Sequence, residues 1–248
     1  MRGITQAVCV YAAENNGAFP VVAYAPYSPS LNNPTATAFD TPENAIASYY
    51  APSPAQAGSV PACFWILVLQ GAVTEKQFIC RLDPFVSHPG TTTNSTGKYF
   101  NNFQGSDRLS YSMAYPWKAD GTVGNWWKDT VDTTLPIVAD MTPLQGTGKP
   151  KRNVTPTAVP ADPATWNSGN HQGDGQNVGF ADGHAAWVKS PDCGQNNDNI
   201  YSWSKEMFAA PLQLGDVPAT KSSPVLTADK APFDILMLPV RDLNTGKL

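Results

Sequence analysis

Four side chains fall close enough together in the sequence to act on one ligand, namely His171, Asp174, Asp182 and His184. Imidazole and carboxylate together suit zinc or another transition metal, and the same pairing does general acid–base work. The chain has only three histidines, and two of them bracket this window. A second group follows at once. Asp192, Asn196, Asn197 and Asp198 offer carboxylate and amide oxygens in one loop, the donors that calcium prefers, although their spacing is not that of an EF-hand. Asp192, Asn196 and Asp198 are the calcium candidates. A third group is aromatic. Trp117, Trp126, Trp127 and Trp203 stand in loop-like surroundings, where indole faces could stack on carbohydrate.

Each group also has a plainer explanation. Asp-Gly at 182–183 between two apolar runs is first a hairpin turn, with His184 on strand surface and His171 bonded to loop backbone. The Asx-rich stretch at 192–198 is first a turn region. The tryptophans could simply fill space beneath loops. Nucleophilic catalysis finds no Gly-x-Ser-x-Gly, no Ser-x-x-Lys and no cysteine with an evident histidine partner. No glycine-rich loop follows a strand in the way that phosphate binding requires.

The elements that must position these groups are of two kinds. Ile4, Ala7, Val8 and Tyr11 recur at helical spacing and predict a helix over 1–16, with Gly17 as its C′ residue. Thr41 and Pro42 open a short helix through Tyr50. Residues 59–70 are apolar all round and predict a sandwiched helix, with Ser59 as N-cap and Gly71 as terminator. Short strands are expected at 77–80, 109–115, 135–140, 176–181, 184–188, 200–203 and 232–240. Asp182 and Gly183 should form a type I′ turn, in which both residues take positive φ. Long polar loops fill 20–60, 83–105 and 142–168. The expected class is α+β, a single domain with helices on a mostly antiparallel sheet.

Composition excludes several functions. The 248 residues carry a net charge of −4, and only 15% are charged, against roughly 25% typically. The one basic cluster is Lys149, Lys151 and Arg152, too little to track a phosphate backbone, so nucleic acid is not an expected partner. No apolar run approaches the ~20 residues that span a bilayer. Cys9, Cys63, Cys80 and Cys193 contain no Cys-x-x-Cys pair, which argues against a structural zinc site. Their even number allows up to two disulfides in an oxidising compartment, with buried free thiols as the alternative. A weakly charged chain rich in loops and aromatics fits an extracytoplasmic setting.

Several blocks taken together resemble a known group. Residues 2–20, RGITQAVCVYAAENNGAFP, look like the exit of a type IV pilin-like helix. Residues 64–71 and 78–83, FWILVLQG and FICRLD, are similar to a second recurring block. The string HQGDGQNVGFADGH over 171–184 resembles the motif of prepilin-like proteins with a His-X9-Asp-Gly domain, pseudopilin-like proteins of the planctomycete type. Its motif residues here are His171, Asp182 and Gly183. The resemblance covers the first 20 residues, 59–83, 106–115, 135–143 and 167–201. Ten residues rather than nine separate His171 from Asp182.

The resemblance implies a pilin-like fold, with residues 1–16 the C-terminal part of a longer helix and residues 17–248 a single head domain. It implies a non-catalytic subunit of a type IV pilus or type II secretion pseudopilus, needing no cofactor, with calcium in a C-terminal loop as the analogy from secretion pseudopilins. It also implies a precursor with a leader and a membrane-anchoring half-helix ahead of residue 1, with Met1 an added start. Its partners would be other pilin-like subunits and the inner membrane, met through that half-helix. The chain alone should then be monomeric. The competing functions are an extracytoplasmic carbohydrate-binding module using the tryptophan loops and a metal-dependent hydrolase around His171 and Asp182.

Overall fold

A computed structural model describes residues 1–25, 35–54, 56–118, 120–143, 167–201 and 235–241. Among these residues, helices α1 (Arg2–Glu14), α2 (Pro42–Ala47) and α3 (Val60–Leu69) accompany nine short strands. Five of them form the main sheet: β3 (Tyr111–Ala114), β4 (Pro136–Asp140), β6 (Gln176–Phe180), β7 (Ala185–Val188) and β8 (Met237–Leu238). Their spatial order is β7-β6-β4-β3-β8, and every pairing is antiparallel. Two small pairs lie outside it. β1 (Ala38–Phe39) joins β2 (Tyr99–Phe100) antiparallel, and β5 (Thr142–Pro143) joins β9 (Val240–Arg241) parallel. The α+β class with a mostly antiparallel sheet is therefore observed.

β3 and β4 are buried along their whole length, as is the edge strand β8, whereas the opposite edge strand β7 is only half-buried. Helices α1 and α3 account for much of that cover: α1 packs on α3 and β6, and α3 on β3. Helix α1 buries Ile4, Thr5, Ala7, Val8 and Ala12. Its opposite stripe of Arg2, Gln6, Val10 and Ala13 faces outward. α3 is buried at every position from Val60 to Leu69, as its unbroken apolar composition requires. An aromatic ladder locks it in place: Phe64 meets Phe78, Phe78 meets Phe103, and Trp65 stands edge-on to Phe103 at 4.6 Å. The Trp65 indole N–H donates to the Phe100 carbonyl at 2.7 Å.

The caps refine the expected ends. Helix α1 closes through Asn16 at φ +55°, which makes Asn16 the left-handed C′ residue, and the Gly17 N–H reaches back to the Ala12 carbonyl. Gly71, at φ +73°, ends α3 as expected, with its N–H on the Val68 carbonyl and that of Ala72 on Leu67. Thr41 caps α2 by accepting the Asn44 N–H at 3.2 Å. Ser59 sits at the α3 N-cap position, but its hydroxyl accepts from the Asn102 side chain instead.

Three expected strands differ. Residues 75–78 form a 3₁₀ turn, because the Gln77 side chain reaches back to accept the Thr74 N–H at 2.9 Å and favours a turn over extension. Ile200 and Tyr201 lie in a turn whose carbonyl at Ile200 accepts the Met237 N–H, and residues 202–203 are outside the described residues. The last expected strand is two pieces, β8 and β9, separated by Pro239, which has no N–H to donate. The hairpin turn differs as well. Only Gly183 takes positive φ, at +86°, and the Gly183 N–H donates to Phe180 while the Phe180 N–H donates to His184. The loop is thus the three residues Ala181, Asp182 and Gly183, with glycine at its left-handed position, not a two-residue type I′ turn.

Candidate functional site

The first half of the hairpin window is held by buried polar side chains. Asn167 donates to the Gly173 and Lys189 carbonyls, and the Ser168 hydroxyl donates to the Met141 carbonyl at 2.8 Å. Asn170 donates to the Ser110 carbonyl at 2.7 Å. These bonds fasten the 3₁₀ turn at Gly169–His171 to the end of the sheet where β3 begins and β4 ends. Gln172 takes φ +59° and Gly173 +82°, so the chain reverses immediately after His171 and enters β6.

His171 does not meet Asp182 or His184. Its Nε2 lies 3.1 Å from Asp140 Oδ2, 3.1 Å from Asn177 Nδ2 and 3.8 Å from Cys80 Sγ. The ligand atoms of Cys80, Asp140 and His171 all lie within 4.8 Å of one another, the only such group of His, Cys, Asp and Glu among the described residues. Asp140 is fully buried, and the His171 side chain is 15% exposed. Trp187 of β7 stands edge-on to the imidazole at 4.9 Å. Asp140 Oδ2 also accepts the Asn177 N–H at 2.6 Å and its side-chain amide at 3.1 Å, while Oδ1 lies 3.4 Å from the Asn170 amide. The hydrogen bond to Asp140 raises the His171 pKa above the ordinary imidazole value, and burial opposes it. Burial pushes the Cys80 thiol up.

This is not the relay of a cysteine nucleophile. A general base takes the thiol proton on one ring nitrogen while a carboxylate orients the ring through the other. Here a single nitrogen faces both Cys80 and Asp140. A reactive thiol also needs a lowered pKa, and Cys80 is shifted the other way.

The remaining sequence candidates are placed elsewhere. Asp182 accepts the His184 N–H at 3.0 Å and pairs with the His184 ring, a local turn that holds its carboxyl below the usual range. His184 stacks flat on Phe180 at 4.5 Å. Asn177, beside His171, and Phe180, beneath His184, are three residues apart on one strand, on the order of 10 Å. The expected four-residue cluster is therefore split between the two ends of β6, and Asp174 is exposed with its N–H on the His171 carbonyl. The hydrolase arrangement around His171 and Asp182 is not formed.

In the candidate calcium loop, Asp192 accepts the Ser190 hydroxyl at 2.9 Å and Asp198 accepts the Ile235 N–H at 2.7 Å. The side chain of Asn196 lies outside the described residues. Trp117, Trp126 and Trp127 are all buried. The Trp117 and Trp127 indoles donate to the Val22 and Pro20 carbonyls, which clamps the segment following α1. These three offer no open face for a sugar, and Trp203 lies outside the described residues.

All four cysteines are free thiols. They sit in separate surroundings: Cys9 donates to the Ala181 carbonyl, Cys63 is buried inside α3, Cys80 faces His171, and Cys193 lies beside Asp192 and Asp198. Burial raises Cys63 and Cys193 to about 12. Unfolding the protein without reductant should therefore release all four thiols to Ellman's reagent, and in the native protein at pH 8 Cys63 should stay unmodified. A titre of two thiols would instead mean a disulfide.

Sequence reasoning missed Cys80, Asp140 and Asn177 as partners of His171. One sign of Asp140 was available: it closes the otherwise apolar strand run 135–140, where a carboxylate needs a partner. Nothing local pointed to Cys80, since the contact spans 91 positions. No protein-family model, no curated protein and no solved structure matches the chain.

Proposed function

We propose that the chain is the head domain of a pilin-like or pseudopilin-like filament subunit, without catalytic activity of its own. The observation that carries this reading is the setting of α1. It is an N-terminal helix that buries Ile4, Val8 and Ala12 and packs on α3 and on β6 of the antiparallel sheet, and its outward stripe leaves Val10 54% exposed. A filament core made of packed N-terminal helices needs such a helix, bound to its head on one side and free on the other. The His171-to-Gly183 motif supports the reading in a structural way. His171 ties its loop to the sheet, and Gly183 shapes the turn lying against Cys9 of α1, so one end of the motif fixes the sheet's own loop and the other braces the helix–sheet contact. Head domains of this kind would lie outside the cytoplasm and be anchored through a membrane-spanning half-helix.

The test uses the complete gene in its own host. A hydrophobic stretch of about 20 residues and a prepilin leader should precede Arg2, and Val10→Cys should give cross-linked ladders in membrane fractions. The chain itself should scatter light as a concentration-independent monomer. A reading frame without that stretch, or a Val10→Cys protein that never cross-links, would refute the proposal.

A further inference from the structure

We propose that Cys80, Asp140 and His171 form a binding site for a divalent transition metal of the zinc type. The inference stands apart from the filament reading, because it rests only on how these side chains meet. Three segments deliver the donors: the extended stretch after the 3₁₀ turn at 75–78, the last residue of β4 and the last residue of the turn at 169–171. They bring a thiol, a carboxylate and an imidazole, a mixed soft and intermediate set that suits zinc or cobalt rather than magnesium or calcium. Zinc–ligand bonds of about 2.0–2.3 Å in a tetrahedron set ligand atoms about 3.3–3.6 Å apart. The observed separations are 3.1 Å for His171 to Asp140, 3.8 Å for His171 to Cys80 and at most 4.8 Å for Asp140 to Cys80, so the thiolate draws inward when the ion binds.

Asn177 adds a fourth group at the same spot. Its side-chain amide lies 3.1 Å from both His171 Nε2 and Asp140 Oδ2. Rotation about its last bond exchanges amide nitrogen and oxygen. The turned amide therefore offers an oxygen beside Nε2, Oδ2 and Sγ as the fourth ligand of a tetrahedral cation. Binding releases the thiol proton to solvent and leaves the ligand as thiolate. The surroundings suit a structural site: Asp140 is already oriented by the Asn177 N–H, and Trp187 covers the imidazole.

The experiment uses tag-free protein stripped with chelator, titrated with Zn²⁺ by calorimetry and with Co²⁺ by absorption. One equivalent should bind, and Co²⁺ should show thiolate-to-metal charge transfer with tetrahedral ligand-field bands. Cys80→Ser should abolish the charge-transfer band. His171→Ala should weaken Zn²⁺ binding by on the order of a hundredfold, at least as much as losing a supporting partner. Asp182→Asn and His184→Ala should bind like the parent, which separates this site from the hairpin turn. Circular dichroism identifies variants that keep the fold, and Cys80→Ser, at a half-buried loop position, provides the decisive comparison. Zn²⁺ should also raise the melting temperature of the parent but not of Cys80→Ser. A parent that shows no cobalt–thiolate band, or that binds Zn²⁺ no more tightly than Cys80→Ser, overturns the assignment.

Discussion

Asp140→Ala is expected to lower the melting temperature by about 10 °C. Asp140 has no solvent exposure, and its two oxygens serve the Asn177 N–H, the Asn177 and Asn170 amides and the His171 ring. Alanine leaves these donors facing a void. Removing one member of a buried ion pair costs about 3–5 kcal/mol, and each kcal/mol moves the midpoint of a chain this size by about 2–4 °C. Asp140→Asn keeps the shape and one acceptor, so it should lose roughly half as much. A thermal melt of Asp140→Ala within ~2 °C of the parent would show that the cluster contributes nothing to the fold. The pH dependence follows from His171, measured with chelator present. Its folded pKa is raised by Asp140, so the stabilisation is complete below the unfolded imidazole value of about 6.5. It is lost as pH rises through the raised folded value. The gap between parent and Asp140→Asn should therefore narrow as the pH is taken from 6 to 9.

Much of the scaffold around this site was legible in the sequence because local physics decides it. Helix α3 is a run of ten apolar residues between Ser59 and Gly71, and no fold leaves such a run in water. Helix α1 announces itself by the stripe of Ile4, Ala7 and Val8 and by its Asn-Asn-Gly stop. The hairpin was equally plain, yet its turn type was not, since Asp-Gly fits both a two-residue loop and a three-residue loop with glycine in the left-handed position. The choice went to the arrangement in which Ala181 joins the loop and its N–H reaches the Leu135 carbonyl of the neighbouring segment, a contact that no local pattern contains.

The site was far less legible, and for a physical reason. His171, Asp182 and His184 are neighbours in sequence, but an extended strand carries its two ends apart as efficiently as any element can. β6 therefore separates the very residues that proximity in sequence had grouped. What it brings to His171 instead comes from positions 80 and 140, through the register in which Tyr111 faces Asp140 and through Asn170 bonding to Ser110. Such pairings are properties of the sheet order β7-β6-β4-β3-β8, in which sequence neighbours are only partly spatial neighbours.

Gly179→Val is the second substitution with a large expected effect, about 3 kcal/mol or roughly 10 °C. A Cβ at Gly179 would collide with Thr5 Oγ1 and stand 2.9 Å from Thr5 Cγ2 and 3.1 Å from Thr5 Cβ. Thr5 cannot easily turn away, because β-branched side chains in helices have few rotamers and its hydroxyl already donates to the Met1 carbonyl. The strand cannot yield either, since Gly179 is paired with Val138 on one side and Ala185 on the other. Helix α1 must therefore lift from the sheet, exposing Ile4 and Val8, or the sheet must distort. A double-mutant cycle with Thr5→Ala and Gly179→Ala isolates this contact. The pair should be more stable than the sum of the singles predicts, though short of the parent, because Cβ against Cβ at 3.1 Å remains tight. Additive singles, or a Gly179→Val protein that melts with the parent, would mean that α1 does not sit on β6 in this register. The same variant bears on the filament reading. If the head is carried by α1, loosening that contact should reduce Val10→Cys cross-linking in cells even where the protein is still made and exported.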